Sequence, residues 1–290
     1  MKRRDLLVAG GAAILGVSAF PLRWAAAQDK KKQKILYFSR SAGFVHPPVL
    51  RKNGQLASSE VWFQKFGQEA GLDVVCSQDG AVFDGDINQF DAFVFYTSGE
   101  LTGPCQDAKS QSGSPMSAEG VKKFFAALEA GKGFVGIHAA TDSFRTDGVS
   151  PYIAMIGAEF LTHGEQQKAA MKVTSPKFPG VQGLGDEFVL HEEWYAMHKF
   201  NKDLHVILVQ ETKGMKGPVY QRPPFPATWA RMQGKGRVFY TSMGHAEIWD
   251  NKTFQQVLKG GLAWSLRNAD ADVTPNIAQV TPGANELPKG

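Results

Sequence analysis

Three of the seven histidines follow short apolar runs. His46 lies in the loop after Ile35-Leu36-Tyr37-Phe38, His138 ends Phe134-Val135-Gly136-Ile137, and His245 lies in the loop after Arg237-Val238-Phe239-Tyr240. A lone histidine is more often a satisfied structural residue than a catalyst. Imidazole near neutral pH nevertheless serves either as a general acid–base or as a metal ligand, and three at equivalent strand ends favour function. Glu193, in His191-Glu192-Glu193-Trp194-Tyr195, adds a carboxylate. Together they would suit zinc or another divalent cation, with His46 and His245 as ligands beside His138 or Glu193. Without a cation, His138 and Glu193 would form an acid–base pair that moves a proton beside a carbonyl. The four residues are scattered and form no short ligand motif. The glutamates of 191–195 do not lie in the two-histidine helix motif of metalloproteases, and His245-Ala246-Glu247 lacks the cysteine pair of zinc deaminases.

Groups so far apart meet only if the fold brings their strands to one rim. Residues 35–38, 72–76, 92–96 and 134–138 are mainly apolar runs, broken only by Asp73 and closed by His138. Between them Trp62, Phe63, Phe66 and Ala70 recur at helical spacing. Val121, Phe124, Phe125 and Leu128 do the same after Ser117, a residue suited to an N-cap. Continuous rather than alternating apolar strands signal a parallel sheet covered on both faces. The expectation is one α/β domain built on an open, mainly parallel sheet with helices on both sides. Further strands are expected at 168–174, 187–190, 205–210, 228–232 and 237–240, with a closing helix whose Phe254, Val257, Leu258, Gly261 and Leu262 face inward. Residues 101–116 read as a long loop. In such sheets ligands bind beyond the carboxyl ends of the strands, which selects the loops at 39–46, 97–100, 138–143 and 241–247. Trp194, Tyr195 and Trp229 could stack on a ligand ring or fill the core. Asp142, with Thr141 and Ser143, could bond ligand hydroxyls or cap a turn, and Arg145 is expected to face solvent. His191, His198 and His205 read as surface or strand residues. The Gly43 loop has neither phosphate-cradling glycine pattern, so no nucleotide cofactor is expected.

These stretches resemble the ThuA-like (trehalose utilisation) family, whose fold is like that of class I glutamine amidotransferases and flavodoxins. The matching pieces are Ala42-Gly43-Phe44-Val45-His46, Gly133 to Asp142, Gly157-Ala158-Glu159-Phe160 with His163, Glu192-Glu193-Trp194-Tyr195, Pro226-Ala227-Thr228-Trp229, and Gly236 to His245. They occur in family order from about residue 35 to 267. The resemblance implies that His138 occupies the strand-to-helix elbow where amidotransferases carry a cysteine nucleophile, which excludes a thiolate acyl-enzyme route there. It also places His163 at the pocket border, beside Asp142, Tyr195 and Trp229 as substrate-binding residues. The implied substrate is a small carbohydrate, either trehalose or a related glycoside or keto-sugar. The implied reaction is isomerisation or cleavage beside the carbonyl. A sugar-binding protein that has lost its nucleophile is the competing reading, and a metal-dependent amidase a weaker one.

The ends carry a different message. Arg3-Arg4 precede a glycine-interrupted apolar run from Leu6 to Phe20 that closes in Ala25-Ala26-Ala27. This pattern reads as a twin-arginine signal peptide over 1–27, recognised by that export machinery and removed. A polar linker would follow at 28–34, then the domain at 35–267 and a flexible proline-containing tail at 268–290. The expected location is periplasmic or extracellular, with no membrane anchor in the mature form. The leader carries a net of +3 of the whole chain's +4, leaving a nearly neutral mature protein and no reason to expect nucleic acid as a partner. Cys76 and Cys105 could form one disulfide in an oxidising compartment or remain two unrelated thiols.

Overall fold

The computed structural model describes residues 32–110 and 112–288. The segment expected to be a twin-arginine leader and most of the expected linker lie outside the described residues. In chain order the elements are β1 (Lys34–Phe38), α1 (Ser58–Ala70), β2 (Asp73–Ser77), β3 (Ala92–Phe95), α2 (Ala118–Ala130), β4 (Gly133–Ile137), α3 (Pro151–Ile156), β5 (Glu159–His163), β6 (Gln167–Val173), β7 (Glu187–Glu192), β8 (Tyr195–His198), β9 (His205–Gln210), β10 (Phe225–Gln233), β11 (Gly236–Thr241), α4 (Lys252–Ser265) and α5 (Ile277–Val280). Local chemistry sets several of these limits. The Ser117 hydroxyl accepts the Gly120 N–H and opens α2, and Gly131 ends it at φ 119°. The Asn251 carboxamide caps α4.

Nine strands form one sheet in the order β2-β1-β3-β4-β11-β10-β9-β6-β7. From β2 to β11 every neighbour is parallel. Beyond β11 the pairings are antiparallel, down to the edge strand β7. The parallel part follows the expected α/β plan, and β1, β3 and β4 are almost wholly buried. Helices cover it on both sides. Tyr37 stacks on Phe63 of α1 at 4.4 Å, and Phe239, in line with Tyr37 across the register, lies against Gly261 of α4. On the opposite face Phe95 stacks on Phe124 of α2 at 5.1 Å and on Tyr152 of α3 at 6.3 Å. β5 and β8 form a separate antiparallel ribbon that the apolar pattern did not signal.

The C-terminal stretch corrects an expectation. Residues 268–288 are not a loose tail but are pinned to the antiparallel half by polar side chains. β6 ends at Val173, opposite Leu208, so Val206 lacks a strand partner on that side. The Asn276 carboxamide replaces it, accepting the Val206 N–H at 2.6 Å and donating to the Val206 carbonyl at 3.1 Å. Asn285 treats Phe200 the same way. Arg222 reaches the Ala284 carbonyl at 2.5 Å, and Ile277 and Ala284 are buried. Composition missed this because carboxamides that imitate a strand edge look like ordinary loop residues. Cys76 and Cys105 stand apart as free thiols. Among the described residues no helix is long and apolar enough to cross a membrane.

Asn276→Ala removes both bonds to Val206 and orphans a largely buried N–H. It is expected to cost about 1–3 kcal/mol, read as a lower midpoint in denaturant unfolding with an unchanged slope. An unchanged midpoint would show that the C-terminal stretch contributes nothing to stability.

Candidate functional site

The expected elbow is present at the end of β4. His138 has φ 47°, a left-handed conformation uncommon for a residue with a side chain, and starts a 3-10 turn over His138–Asp142. Gly244 in the β11 loop passes so close that a Cβ there would lie 2.8 Å from the Cβ of His138. This approach lets the Ser242 carbonyl sit 2.6 Å from His138 Nδ1. A carbonyl only accepts, so Nδ1 carries a proton, and in the neutral form of the ring Nε2 would be a lone pair. Tyr195 stacks on the imidazole at 4.0 Å and fixes its plane. Nε2 is fully buried, has no hydrogen-bond partner, and faces Glu193 Oε2 at 3.4 Å.

His46 closes the trio from the β1 loop. Its Nε2 lies 3.9 Å from the same Glu193 oxygen and 3.0 Å from the Tyr195 hydroxyl. Burial, reinforced by the neighbouring His138, pushes its pKa well below the usual imidazole value and keeps it neutral. One ligand atom from each of His46, His138 and Glu193 lies within 4.8 Å of the others. The second Glu193 oxygen faces His163 at 3.8 Å and His245 at 3.9 Å. His245 therefore borders the trio rather than belonging to it, and Gln166 lies within 3.5 Å of its ring nitrogens. Burial also lowers the His245 pKa. Glu193 shows the opposing forces clearly. Burial pushes its carboxyl up, but the His138 contact and the positive charge of the neighbouring imidazoles in their protonated forms outweigh this and hold it at about 2.

Two turns of the chain put Glu193 there. β6 and β7 pair in the large sheet, whereas β5 and β8 pair in the ribbon. The chain crosses between the two layers at 163–167 and again at 192–195, and Glu193 and His163 sit on these crossings. Glu192, not singled out from the sequence, holds the other side of the centre. It is buried, and its Oε1 accepts the N–H groups of His245 at 2.7 Å and Gly244 at 3.2 Å. Burial outweighs these bonds and the nearby His138, raising its carboxyl to about 7. The doubled acidic pair was the only trace of it in the sequence.

The remaining candidates divide. Tyr195 forms a wall of the centre, and His163 stands at its open side. Asp142 belongs to a neighbouring cavity of about 490 Å³, where burial raises its carboxyl. Arg145, expected to face solvent, lines the same cavity and bonds Asp142 at 2.7 Å. Trp229 is a correction. It is fully buried in the core, donates its indole N–H to Ile156, and packs on Tyr240 at 4.3 Å, so it has no surface for a ligand ring. His198 bonds Glu159 and His205 bonds Ser175, away from the trio, while His191 is exposed beside Glu247.

Glu192→Ala leaves the Gly244 and His245 N–H groups without their acceptor. A loss of about 1–3 kcal/mol per orphaned N–H is expected, with Glu192→Gln, which keeps an acceptor oxygen, restoring most of it. Equal unfolding midpoints for the two variants would refute this bracing role.

The family model for ThuA, trehalose utilisation, matches residues 34–265. No curated protein matches the sequence. A ThuA-like protein from Parabacteroides merdae has a similar structure at 15% identity and a TM-score of 0.62, covering 90% of this chain and 98% of that one. A ThuA-like protein from Bacteroides uniformis is similar at 18% identity and a TM-score of 0.58 over the same shares. A cytoplasmic protein from Salmonella typhimurium LT2 shares the fold at 12% identity and a TM-score of 0.50, covering 81% of this chain and 98% of that one. With its elbow, its strand order and a family match over most of its length, this chain belongs to the ThuA family of trehalose utilisation.

Proposed function

We propose that this protein is a carbohydrate-processing enzyme that binds a divalent cation, zinc being the type, between His46, His138 and Glu193. Its substrate in this reading is a keto-sugar or glycoside, and the imidazoles beside the trio move its protons. The observation that carries the reading is the 3.4 Å approach of His138 Nε2 to Glu193 Oε2. With His138 in its neutral form, an imidazole lone pair would meet an ionised carboxylate in a buried space, which is repulsive unless positive charge lies between them. His46, kept neutral by burial, supplies the third donor. Two imidazoles and one carboxylate that leave positions open are the donor set of many catalytic metal centres. When bound, such a cation polarises a carbonyl oxygen of the substrate.

The residues of the chain do the rest. Ser242 and Tyr195 hold the His138 ring in one tautomer and one plane. His245, kept neutral by burial, accepts a proton from the carbon beside the carbonyl, and the more exposed His163 returns one to the departing or neighbouring oxygen. A second reading has the same distance as its support. There a proton fills the gap, and His138 as imidazolium pairs with Glu193 for acid–base work without a cation. A sugar-binding protein without turnover is the remaining alternative.

Elemental analysis of the purified protein, with trehalose and a 3-keto-glucoside as substrates, separates these. About one equivalent of divalent metal is expected, with affinity falling more than about 100-fold in His138→Ala, beyond the effect of outer-shell changes. His245→Ala is expected to keep the metal while turnover falls at least about 100-fold. Full turnover by metal-free protein would replace the first reading with the second. Sugar binding with no turnover under any condition would leave only the binding protein.

The same reading places the working form outside the cytoplasm, by way of Arg3-Arg4. Replacing both by lysine is expected to hold the protein in the cytoplasmic fraction, and an unchanged distribution would remove the export proposal.

A further inference from the structure

The 490 Å³ cavity beside the histidine centre is not used by the chemistry above, and its size falls within the ~300–1,000 Å³ range of pockets that enclose small molecules. Its place in the fold is independent evidence for a ligand. The strand order β2-β1-β3-β4 reverses direction between β1 and β3, and open α/β sheets bind ligands in the crevice at that switch point. The loops that leave these two strands form one side of the cavity through Gly43 and Phe44 and through Gly99 and Glu100. They pass so closely that a Cβ on Gly99, at φ 76°, would lie 2.3 Å from the Gly43 nitrogen. Only glycine permits this approach, which keeps that wall flat.

The lining states what would fit. Glu100, Asp142, Asp147 and Glu159 line the cavity with one cation, Arg145, which bonds Asp142, while Lys199 from outside the lining pairs with Glu159 at 2.9 Å, so acid still outnumbers base there. That balance repels anions and offers many acceptors to hydroxyl groups. Phe44 is 60% exposed, an unusual state for so large an apolar ring, and offers a face for stacking on C–H groups. The cavity is joined to the reactive centre at two points. Phe44 meets His46 edge-on at 4.8 Å, and the short turn that begins at His138 ends at Asp142.

We propose that this cavity is the subsite for the second, unreacted ring of an uncharged two-ring saccharide whose first ring lies at Glu193 and His138. The assignment rests on the carbohydrate reading above. Phe44 stacks on the second ring, and Asp142 and Glu100 accept its hydroxyls. A phosphate or carboxylate on that ring is excluded by the acidic lining.

Calorimetric titration of the protein with trehalose, glucose and trehalose 6-phosphate tests this, using wild type and the exposed-site variant Phe44→Ala. Wild type is expected to prefer trehalose to glucose and to bind the phosphorylated disaccharide at least about ten-fold more weakly than trehalose. Phe44→Ala is expected to lower the trehalose-over-glucose preference about ten-fold, the scale of a lost ring contact, and Asp142→Asn to lower it in the same direction. If wild type binds none of the saccharides, the carbohydrate reading fails and the subsite with it. If wild type binds glucose and trehalose but both variants keep its preference, the subsite alone is overturned. Equal binding of the phosphorylated disaccharide overturns the charge argument and the assignment.

Discussion

His138 Nδ1 donates a hydrogen bond to the Ser242 carbonyl at 2.6 Å. The rest of the centre depends on that bond. It leaves Nε2 bare and aimed at Glu193. It requires the β11 loop to lie almost against the elbow, which only a glycine at 244 allows. The loop in turn needs an anchor, and Glu192 provides it by accepting two successive N–H groups. Tyr96 and Trp249 also hold the Gly244 carbonyl, at 3.0 and 2.8 Å. One proton position is thus fixed by strands β3, β4, β7 and β11 together, an arrangement that needs the folded sheet and cannot be built by any local segment.

Much of the parallel half was legible because both of its faces are buried. Runs such as Ala92-Phe93-Val94-Phe95 have no polar interruption, and helices α1 and α2 show plain apolar spacing with a glycine stop. The ribbon strands β5 and β8 gave no such signal. Glu159–His163 turns from buried to exposed along its length, and Tyr195–His198 carries polar and apolar residues without alternation. The C-terminal stretch was misread for a related reason. It is held by Asn276 bonding the β9 backbone at Val206 and Asn285 bonding the loop backbone at Phe200, and such long-range polar contacts leave no periodicity.

The histidines were legible from topology, since each follows a strand that ends at one rim. Their division of labour was not. That His46 and His138 share one Glu193 oxygen while His163 and His245 share the other depends on the direction of one side chain at the crossing between sheet and ribbon. Trp229 shows the converse. Its family motif places it near the site in sequence order, yet β10 turns it toward Tyr240 and Phe200 in the core.

Glu192 and Glu193 are chemically identical neighbours held in opposite states, one carboxyl raised to about 7 and the other lowered to about 2. The cause is geometric. Glu192 ends β7 with its side chain directed into packed protein, where two backbone N–H groups satisfy it but do not offset the loss of water. Glu193, one residue later and already leaving the sheet, turns toward four imidazoles instead. A carboxylate that stays ionised there is available as a ligand or base, while one that tolerates a proton can brace a loop without adding a second full charge to the centre. Glu192 lies on the Nδ1 side of the His138 ring at 4.0 Å and Glu193 on its Nε2 side at 3.4 Å, so one imidazole separates a reactive carboxylate from a structural one.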